Sequence, residues 1–409
     1  MADIRRIQKD LEALRDLTEP CGEGTTRLSY TPAFRKAADY LKREMEACGL
    51  TVREDGVGNL WGLCPGEDPD APHIISGSHL DTVRCSGYFD GQAGIICALE
   101  AARMLKEQGV RLRGGYEVLA TVMEEGARFP NLGGSKFAMG VRAEEELDSI
   151  RDEDGVTLRQ AIRTYGLPGD LQGVCRRDDP VKAFLEVHME QGSRLEREKK
   201  DLGIVQTIFG CRWFHVTVKG VTAHPSTPFA ERKDASFAAA RLISRMEDAA
   251  AGYAGRATLT VGKMSLYPGE INAIPSRASF SMDFRSGQER CFRELDSVLE
   301  QESRRVEKQY GVTVEKELYT YTPPTPCSPE IAGALEESAR QLGCSCMRMD
   351  SGAGHDAMVF ALRWPVGMLF LPSHLGLTHC PGEWTDYGNV ARGADVLCRA
   401  VQKLDAEKA

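Results

Sequence analysis

The sequence predicts an α/β protein of two domains. A mainly parallel sheet with helices on both faces is interrupted by a smaller α/β sandwich. The chain has 409 residues, more than one hydrophobic core usually organises. Apolar strands alternate with amphipathic helices in the first and last parts of the chain, which is typical of βαβ units. Between these parts, strands with apolar–polar alternation indicate a sheet with one open face.

The first part of the chain begins with two amphipathic helices. Residues 3–17 and 32–48 carry apolar side chains at helical spacing, and Gly49 is a suitable C-cap for the second helix. Asp55 and Gly56 mark the turn of a hairpin that spans residues 52–63. The other predicted elements are strands at 73–77 and 116–123, a helix at 91–108 ended by Gly109, an exposed, charged helical excursion at 142–180, and an apolar core segment at 183–192.

The middle of the chain has a different pattern, with the order βαββαβ. The predicted elements are strands at 213–220, 258–267, 277–285 and near 311–319, with helices at 230–250 and near 288–308. Residues 321–330 contain four prolines and are a suitable linker. The earlier character then returns as a helix at 329–342, a strand at 365–372 and a C-terminal helix. We therefore expect a discontinuous first domain at 1–210 and 326–409, with a second domain inserted at 211–325.

Composition excludes several classes of protein. The net charge of −9 and the pI near 5.6 argue against a nucleic-acid partner, which requires a basic face. No apolar run approaches the length of a membrane span, and residues 1–17 lack the apolar core of a signal peptide. We therefore expect a cytoplasmic protein without a membrane partner. The 13 cysteines are odd in number and form no CxxC pair, which favours reduced thiols.

The segment 74–91 carries the first candidate ligands. His79, Asp81 and Asp90 follow a short apolar strand, with a glycine-containing loop between them. A strand end is rigid and a loop leaves an open side, which suits a divalent metal. Asp81 is placed to accept the second N–H of the His79 ring and fix its tautomer. Taken alone, the segment fits a core histidine beside an Asx turn equally well. Cys85 lies in the same loop and has no assigned role.

Histidines and carboxylates lie at the ends of several other predicted core elements. The candidate ligands at the ends of predicted core elements are His79, Asp90, Glu125, His188 and His379. Carboxylates mixed with imidazoles suit Zn²⁺, Mn²⁺ or Co²⁺. Five ligands are too many for one tetrahedral catalytic zinc, but they suit two metals that share one bridging carboxylate. Glu124 then stays unbound as general base and acid.

Eight motifs in this order resemble one known family. They are GSHLDTV with YFDG, MEEGARF, EVHMEQG, GVTAH, INAIPSRASFSMDFR, SGAGHDAM and SHLGLTHCPGEW. Together they resemble the amidase, hydantoinase and carbamoylase branch of the dinuclear-metal aminoacylase and carboxypeptidase superfamily. His188 resembles this branch rather than the peptidases, which usually have an acidic residue there. The resemblance implies a metal-dependent hydrolase of small ureido or amide substrates.

The resemblance also implies residue roles. One metal would be held by His79, Asp90 and His188, and the other by Asp90 as the bridge, Glu125 and His379, with Glu124 as acid–base. Substrate contacts would come from His224, which stabilises the oxyanion, and from Asn272 and Arg285, with Gln191, Gly354 and His355 as pocket walls. In the family, the residue equivalent to His224 reaches the neighbouring subunit, which implies a homodimer and makes the inserted domain a lid and dimerisation domain.

The substrate stays open at this point. The resemblance favours an N-carbamoyl-L-amino acid, which yields amino acid, CO₂ and ammonia. Allantoate, another ureido acid or an N-acyl amino acid are alternatives, and a peptidase or a non-catalytic binding protein of the same fold fits less well. One departure bears on this choice: the loop from His224 to Arg232 is one residue shorter than is common in the family and contains Pro225.

The other histidines have structural interpretations. His73 and His215 lie within predicted strands. His374 lies five residues before His379 and is expected to form a hydrogen bond within its loop rather than act as a sixth ligand. His355 lies among glycines that allow close approach of a ligand, so a structural and a functional role are equally supported.

Overall fold

The structure is a computed structural model that describes residues 1–407 and divides into two compact units. The first contains Met1–Gln206, Cys327–Ser351 and the described chain from His355 onward. The second contains Thr207–Pro326 together with Gly352–Gly354. The boundaries predicted from the sequence lie at 210/211 and 325/326.

The first unit contains most of the helices and nearly all of one large sheet, of which only residues 207–208 and 325–326 fall in the second unit. Its helices are α1 (Ile4–Asp16), α2 (Pro32–Cys48), α3 (Gln92–Glu107), α4 (Gly133–Ala138), α5 (Glu146–Ser149), α6 (Leu158–Tyr165), α7 (Arg194–Arg197), α10 (Pro329–Gln341), α11 (Asp356–Phe360) and α12 (Tyr387–Ala406). The strands of the large sheet are β1 (Thr51–Glu54), β2 (Leu60–Cys64), β3 (His73–His79), β4 (Tyr116–Thr121), β5 (Val181–Met189), β6 (Leu202–Ile208), β12 (Thr325–Pro326), β13 (Cys346–Ser351) and β14 (Val366–Leu371).

The large sheet is parallel at its centre and antiparallel toward its edges. Its order across the described residues is β1-β2-β4-β3-β5-β14-β6-β12, and β13 also pairs with β6. The central strands β4, β3, β5 and β14 are mutually parallel. Strands β1 and β2 on one side and β6 and β12 on the other pair antiparallel. The fold class predicted for this domain is therefore confirmed.

Alternate side chains of β5 show how the sheet is covered. Leu185 and Val187 belong to the core that includes residues of α3 and α12. On the other face, the Phe184 ring lies 4.5 Å from the ring of Phe360 in α11. Because successive strand residues point to opposite faces, helices lie on both faces of the sheet. Both faces are thus buried, which explains why the central strands are almost continuously apolar.

Local signals explain several element boundaries. Helix α2 begins after Thr31, whose side chain caps the Phe34 amide, and it ends at Gly49 in the left-handed conformation, as predicted. The hairpin turn at Asp55 is also confirmed, because β1 and β2 pair antiparallel on either side of it.

Other predictions for the first unit were incomplete or wrong. The segment 142–180 contains only the short helices α5 and α6; much of it is exposed as predicted, but it also buries Leu147 and Ile162 in the core. Strands β6, β12 and β13 are not among the elements predicted from the sequence. Strand β12 is too short to show a periodic pattern, and β6 has no apolar–polar alternation because its first four residues are all buried.

The second unit is an antiparallel sheet with two long helices. Its elements are β7 (Gly210–Lys219), α8 (Ala235–Ala251), β8 (Ala257–Thr260), β9 (Met264–Tyr267), β10 (Arg277–Ser286), α9 (Glu289–Tyr310) and β11 (Thr313–Thr322). The strand order is β11-β7-β10-β8, and β9 also pairs with β10.

The predicted order βαββαβ for this unit needs one correction. The segment 258–267 forms two short strands, β8 and β9, instead of one, and both pair with β10. The pairing register along β10 shifts by one residue between them, since Asp283 faces Thr260 but Phe280 faces Met264. An extra residue of this kind breaks the ladder, and Gly262 lies at the break.

Two findings concern the whole described chain. Within residues 1–407, none of the helices combines the length and the apolar character needed to cross a membrane. All thirteen cysteines in these residues are free thiols, as predicted. The Cys85 thiol donates to the carbonyl of Cys21 at 3.3 Å.

The buried side chain of Asp55 holds the hairpin together through hydrogen bonds. Its side chain is buried and accepts hydrogen bonds from the amides of Val57 (3.1 Å) and Asn59 (3.0 Å), the Asn59 side chain (2.9 Å) and the Trp61 indole (3.0 Å). Asn59 in turn accepts from the Val122 amide at 3.2 Å. The hairpin is thereby tied to the segment that follows β4 and leads into Glu124.

We expect Asp55→Ala to lower the free energy of unfolding by about 3 kcal/mol, because several buried donors lose their acceptor. Urea denaturation of the metal-free protein measures this change. The exposed Asp70 provides the control, and Asp70→Ala should stay within about 0.5 kcal/mol of the wild type. Equal effects of the two substitutions would contradict the role given to Asp55.

Candidate dinuclear metal centre

The candidate ligands meet at the carboxyl edge of the large sheet. His79 is the last residue of β3 and His188 lies next to the end of β5. Glu125 follows β4 and His379 follows β14, whereas Asp90 lies in the loop between β3 and α3. The central strands are parallel, so their carboxyl ends share one edge, where open α/β sheets place their sites.

Two groups of side chains lie close enough to hold a metal ion. One is His79, Asp90 and His188, and the other is Asp90, Glu125 and His379. Within each group the potential ligand atoms lie within 4.8 Å of one another. We call these groups the first and the second triad; Asp90 belongs to both.

The two oxygens of Asp90 face different triads. Its Oδ1 lies 2.9 Å from Nε2 of His188 and 3.5 Å from Nε2 of His79. Its Oδ2 lies 3.2 Å from Nε2 of His379, which is also 3.3 Å from Oε2 of Glu125. This division of one carboxylate between two groups is the arrangement that a bridging ligand requires.

The histidine rings of the first triad are oriented by backbone carbonyls. Nδ1 of His79 lies 2.9 Å from the carbonyl of Asp81, and Nδ1 of His188 lies 3.0 Å from the carbonyl of Met189. A proton on Nδ1 satisfies each contact and leaves Nε2 as the acceptor of the neutral ring.

Asp81 was expected to orient His79 with its carboxylate, and the structure corrects the atom. The backbone carbonyl of Asp81 faces the ring, while its carboxylate accepts hydrogen bonds from the amides of Glu124 (3.1 Å) and Glu125 (3.3 Å). Asp81 therefore connects the His79 segment to the two glutamates.

Gly91 shows how closely the Asp90 loop approaches His79. A Cβ at this position would lie 2.4 Å from the His79 carbonyl oxygen and 2.5 Å from its ring. Its φ of +72° also lies in the region that glycine adopts most easily. The residue after Asp90 must therefore be glycine for the loop to bring this carboxylate to the triads.

The site concentrates negative charge in a buried place. Burial by itself would raise the pKa of Asp90, but the surrounding histidines, His188 foremost, hold it well below its ordinary value. Hydrogen bonds to Asp90 and Glu125 raise the pKa of His379 to about 10. Burial would lower the pKa of His79, yet the carboxylates of Glu124 and Asp90 raise it well above its ordinary value. The carboxylates thus stabilise positive charge on the groups that lie between them, such as the rings of His79 and His379.

The donor set fits divalent metal ions. Three imidazole nitrogens and the oxygens of two carboxylates converge on the triads, a mixture that suits Zn²⁺, Mn²⁺ or Co²⁺. Oε1 of Glu125 is buried and accepts no hydrogen bond from any of residues 1–407. An acceptor buried without a donor is costly unless a cation or another group satisfies it.

Glu124 lies beside the triads but belongs to neither. Its Oε2 is 3.8 Å from Nε2 of His79. Burial raises the pKa of Glu124 well above its ordinary value; the charge of His79 opposes this rise and that of Glu125 adds to it. A buried carboxyl with a raised pKa beside a candidate metal site is what a general base and acid requires.

The residues expected to contact substrate are divided between the two units. His224 is exposed in the second unit, where its Nδ1 lies 2.7 Å from the Ser226 hydroxyl, and Asn272 is also exposed there. Gly354 belongs to the second unit by its contacts, whereas His355 and Gln191 belong to the first. Nε2 of Gln191 lies 3.5 Å from Oδ2 of Asp90, which is the outer limit for a hydrogen bond.

His355 is buried beside the first triad. Its ring centroid lies 4.5 Å from that of His188, and its Nε2 is 2.9 Å from the Ser351 hydroxyl. Burial lowers the pKa of His355 well below its ordinary value, and the neighbouring His188 lowers it further. His355 is therefore a buried ring in contact with the first triad, in a place that favours its neutral form.

Arg285 already has a partner in the second unit. Its Nε and Nη2 both donate to Oδ2 of Asp283, at 3.0 and 2.9 Å, and its Nη1 donates weakly to the Gly352 carbonyl at 3.4 Å. Arg285 and Asp283 are two residues apart in β10, so their side chains share one face of the sheet. Asp283, which the sequence analysis did not single out, holds the guanidinium in place.

Two other buried carboxylates near the triads were also missed. Glu186 accepts from the Ser78 hydroxyl at 2.8 Å and the Ala357 amide at 3.0 Å. Glu383 accepts from backbone amides of the loops that carry Asp90 and His379. Glu186 lies two positions before His188, and Glu383 lies four positions after His379. Each is part of a motif that resembles the family, which is the signal that the sequence offers for finding them.

These features define an α/β protein with a candidate dinuclear metal centre on a mixed sheet. The chain belongs to the peptidase family M20/M25/M40, whose family model matches residues 75–403.

Similar proteins place the chain more narrowly within that family. It is 40% identical to an N-carbamoyl-L-amino-acid amidohydrolase of Paenarthrobacter aurescens, over 99% of this chain and 98% of that protein. It is 34% identical to an allantoate amidohydrolase of Escherichia coli, over 95% of each chain. A crystal structure of a hydantoinase/carbamoylase family amidase from Burkholderia multivorans matches with a TM-score of 0.93 and 30% identity, over 100% of this chain and 99% of that one. The resemblance inferred from the motifs is thus confirmed.

We expect wild-type protein loaded with Mn²⁺, Co²⁺ or Zn²⁺ and then desalted to retain about two equivalents of metal. His379→Ala should retain about one equivalent, because only the second triad loses a ligand, whereas Asp90→Ala should lose most of both. Elemental analysis measures these contents. His374→Ala is the matched control: this exposed histidine pairs with Glu196 at 2.8 Å and should leave metal content unchanged. Equal metal content in all four proteins would contradict the assignment.

Proposed function

We propose that the protein is a metal-dependent amidohydrolase that cleaves linear, non-peptide C–N bonds, with an N-carbamoyl-L-amino acid as its substrate. One water is consumed, and the products are the amino acid, CO₂ and ammonia. The observation that carries the proposal is the pair of triads sharing Asp90, with the unliganded Glu124 beside them. Relatives named as N-carbamoyl-L-amino-acid and allantoate amidohydrolases support the substrate class.

Two divalent cations would be held by His79, Asp90 and His188 and by Asp90, Glu125 and His379. When bound, such ions supply Lewis-acid polarisation of the scissile carbonyl and lower the pKa of a coordinated water. Glu124 accepts a proton from the attacking water and passes it to the leaving nitrogen as the C–N bond breaks. The elevated pKa of Glu124 suits this role, because the carboxyl must carry the proton between the two steps.

The substrate requires recognition of a carboxylate and of a ureido group. Asp283 binds the Nε–Nη2 side of the Arg285 guanidinium and fixes its orientation. The Nη1–Nη2 side is a second planar pair of donors that matches a carboxylate. Asn272 is assigned to an amide or carboxylate oxygen of the substrate, and His224 to stabilising the developing oxyanion. Gln191, Gly354 and His355 are assigned to the walls of the pocket.

Allantoate or another ureido acid is the second candidate substrate, and a relative named as an allantoate amidohydrolase supports it. The short loop after His224 bears on this choice, since a change in the approach of His224 alters the shape of the pocket without altering the metal ligands. An N-acyl amino acid is a third candidate. A homodimer, in which His224 serves the neighbouring subunit, and a cytoplasmic location are further parts of the proposal.

A substrate panel tests the proposal directly. Metal-reconstituted protein should release ammonia from N-carbamoyl-L-amino acids faster than from their D-enantiomers or from allantoate. N-acetyl amino acids and dipeptides, assayed through release of the free amino acid, should react slowly. Preferential cleavage of allantoate would identify the second candidate as the substrate, and preferential cleavage of dipeptides would refute the proposal.

We expect Glu124→Gln to keep both metal ions while kcat falls by at least ~10²-fold, because the amide cannot carry the proton. Metal analysis and steady-state kinetics on the same preparation test both parts. Glu125→Gln is the matched comparison, since the neighbouring glutamate belongs to the second triad and its substitution should remove metal. Loss of metal from Glu124→Gln would show that Glu124 is a ligand and refute its role.

We expect Arg285→Lys to raise KM for substrates with a free carboxylate by about 10-fold or more, because lysine lacks the bidentate fork. The corresponding carboxamide substrates should be affected much less. Arg277→Lys, an exposed arginine at the other end of the same strand, is the control and should not change KM. Unchanged kinetics of Arg285→Lys on a carboxylate substrate would remove its proposed role.

A further inference from the structure

Glu383 is a buried carboxylate to which the proposed reaction gives no role. Its residue is 2% exposed, and it lies four positions after His379, in the segment that leads to α12. A carboxylate in such a place is stable only when donors surround it. Its partners therefore indicate what it does.

The donors to Glu383 come from two loops that are distant in sequence. Oε1 accepts hydrogen bonds from the amides of Phe89 (2.9 Å) and Asp90 (3.0 Å). Oε2 accepts from the amide of His379 at 3.3 Å. One side chain therefore joins the backbone of two candidate ligands, Asp90 and His379, that are almost 290 residues apart.

Asp90 and His379 lie outside the strands of the sheet, so contacts other than ladder hydrogen bonds must fix their backbone. His79 and His188 lie in strands of the sheet, where ladder hydrogen bonds fix the backbone. Asp90 and His379 lie in loops, and His379 has a φ of +57°, a left-handed conformation that non-glycine residues rarely adopt. Such a conformation persists only where surrounding contacts hold it.

Packing around Glu383 supports the same interpretation. A Cβ on Gly87 would lie 2.4 Å from the Cβ of Glu383, so the Asp90 loop approaches this side chain as closely as glycine allows. Phe89 and Trp384, the neighbours of Asp90 and Glu383, meet edge to face with ring centroids 5.2 Å apart. The two loops are thus joined by hydrogen bonds and by an aromatic contact.

We propose that Glu383 is a positioning residue that clamps the Asp90 loop to the His379 loop and so sets the geometry of the second triad. The proposal rests on the metal centre of the proposed function. The first triad depends less on the clamp, because two of its three ligands are held by strands. Loss of the clamp should therefore weaken one metal position selectively.

Glu383→Gln tests the clamp with little change in volume. Glutamine offers one acceptor oxygen, and its NH₂ group must then face the amides of one of the two loops. We expect the second cation to bind at least ~10-fold more weakly than in the wild type, while the affinity for the first changes less. Titration of metal-free protein with Co²⁺ or Zn²⁺ against a chromophoric chelator resolves the two affinities.

A second readout needs no metal. Hydrogen exchange of metal-free protein, followed by mass spectrometry of peptides that cover 86–92 and 377–384, should show faster exchange in both segments of Glu383→Gln. Faster exchange throughout the chain, with equal loss of both metal affinities, would indicate general destabilisation and overturn the proposal.

Glu190→Gln is the matched control. Glu190 is also buried and accepts two backbone hydrogen bonds, from Arg194 at 2.9 Å and Leu195 at 2.7 Å. These amides belong to a single turn, so Glu190 does not join two ligand loops. Glu190→Gln should keep the wild-type ratio of the two metal affinities.

Gly87→Ala is a second variant that keeps the charge of Glu383 and displaces its side chain. It should lower the affinity for the second cation as Glu383→Gln does, and it serves if Glu383→Gln fails to fold. Wild-type affinities in either folded variant, or a wild-type protein that binds only one cation, would overturn the clamp. Wild-type protein that binds two cations but hydrolyses no ureido acid would refute the proposed function and leave the clamp intact.

Discussion

The need to balance buried negative charge governs the structure at the carboxyl edge of the sheet. Asp90 and Glu124 lie within 4 Å of His79, Glu125 lies within 4 Å of His379, and the Asp81 carboxylate accepts from the amides of the two glutamates. Such a group of carboxylates is stable only with hydrogen bonds and positive charge. The backbone supplies the hydrogen bonds to Asp81, and the elevated pKa of the histidines shows that the site favours cations. Divalent metal ions would supply this charge and the proposed chemistry together.

The parallel centre of the sheet makes this concentration of charge possible. Strands β3, β4, β5 and β14 end at one edge, so segments from far apart in the chain deliver their side chains to one place. The ladders hold His79 and His188, whereas Asp90 and His379 depend on loop contacts. The roles proposed for Gly91, Asp81 and Glu383 follow from this difference. Gly91 permits the close approach of the Asp90 loop, Asp81 orders the segment with the glutamates, and Glu383 joins the two ligand loops.

Prediction from the sequence was most successful where a structural feature depends on residues that are neighbours in the chain. The hairpin at Asp55 and the cap at Gly49 were predicted because turn and cap chemistry involves neighbours in sequence. Prediction from the sequence was less accurate for 142–180, because scattered apolar residues such as Ile162 join a core that other segments build. It also merged β8 and β9, because a one-residue shift in register leaves little trace in the apolar pattern. In the site, the five candidate ligands were named in advance, but their division into two triads came only with the resemblance.

The fold class, the family and the candidate metal ligands could all be predicted from the amino-acid sequence. These depend on residue type and order, which the motifs from His79 to His379 record directly. Three contacts are evident only in the folded chain. The carbonyl of Asp81, and not its carboxylate, faces His79, Asp283 binds one side of the Arg285 guanidinium, and Glu383 joins two loops that carry candidate ligands. The physical reason is that a hydrogen bond depends on atoms being within about 3 Å of each other. Folding alone sets such distances, both between neighbours such as Asp283 and Arg285 and between residues far apart in the chain, such as Asp90 and Glu383.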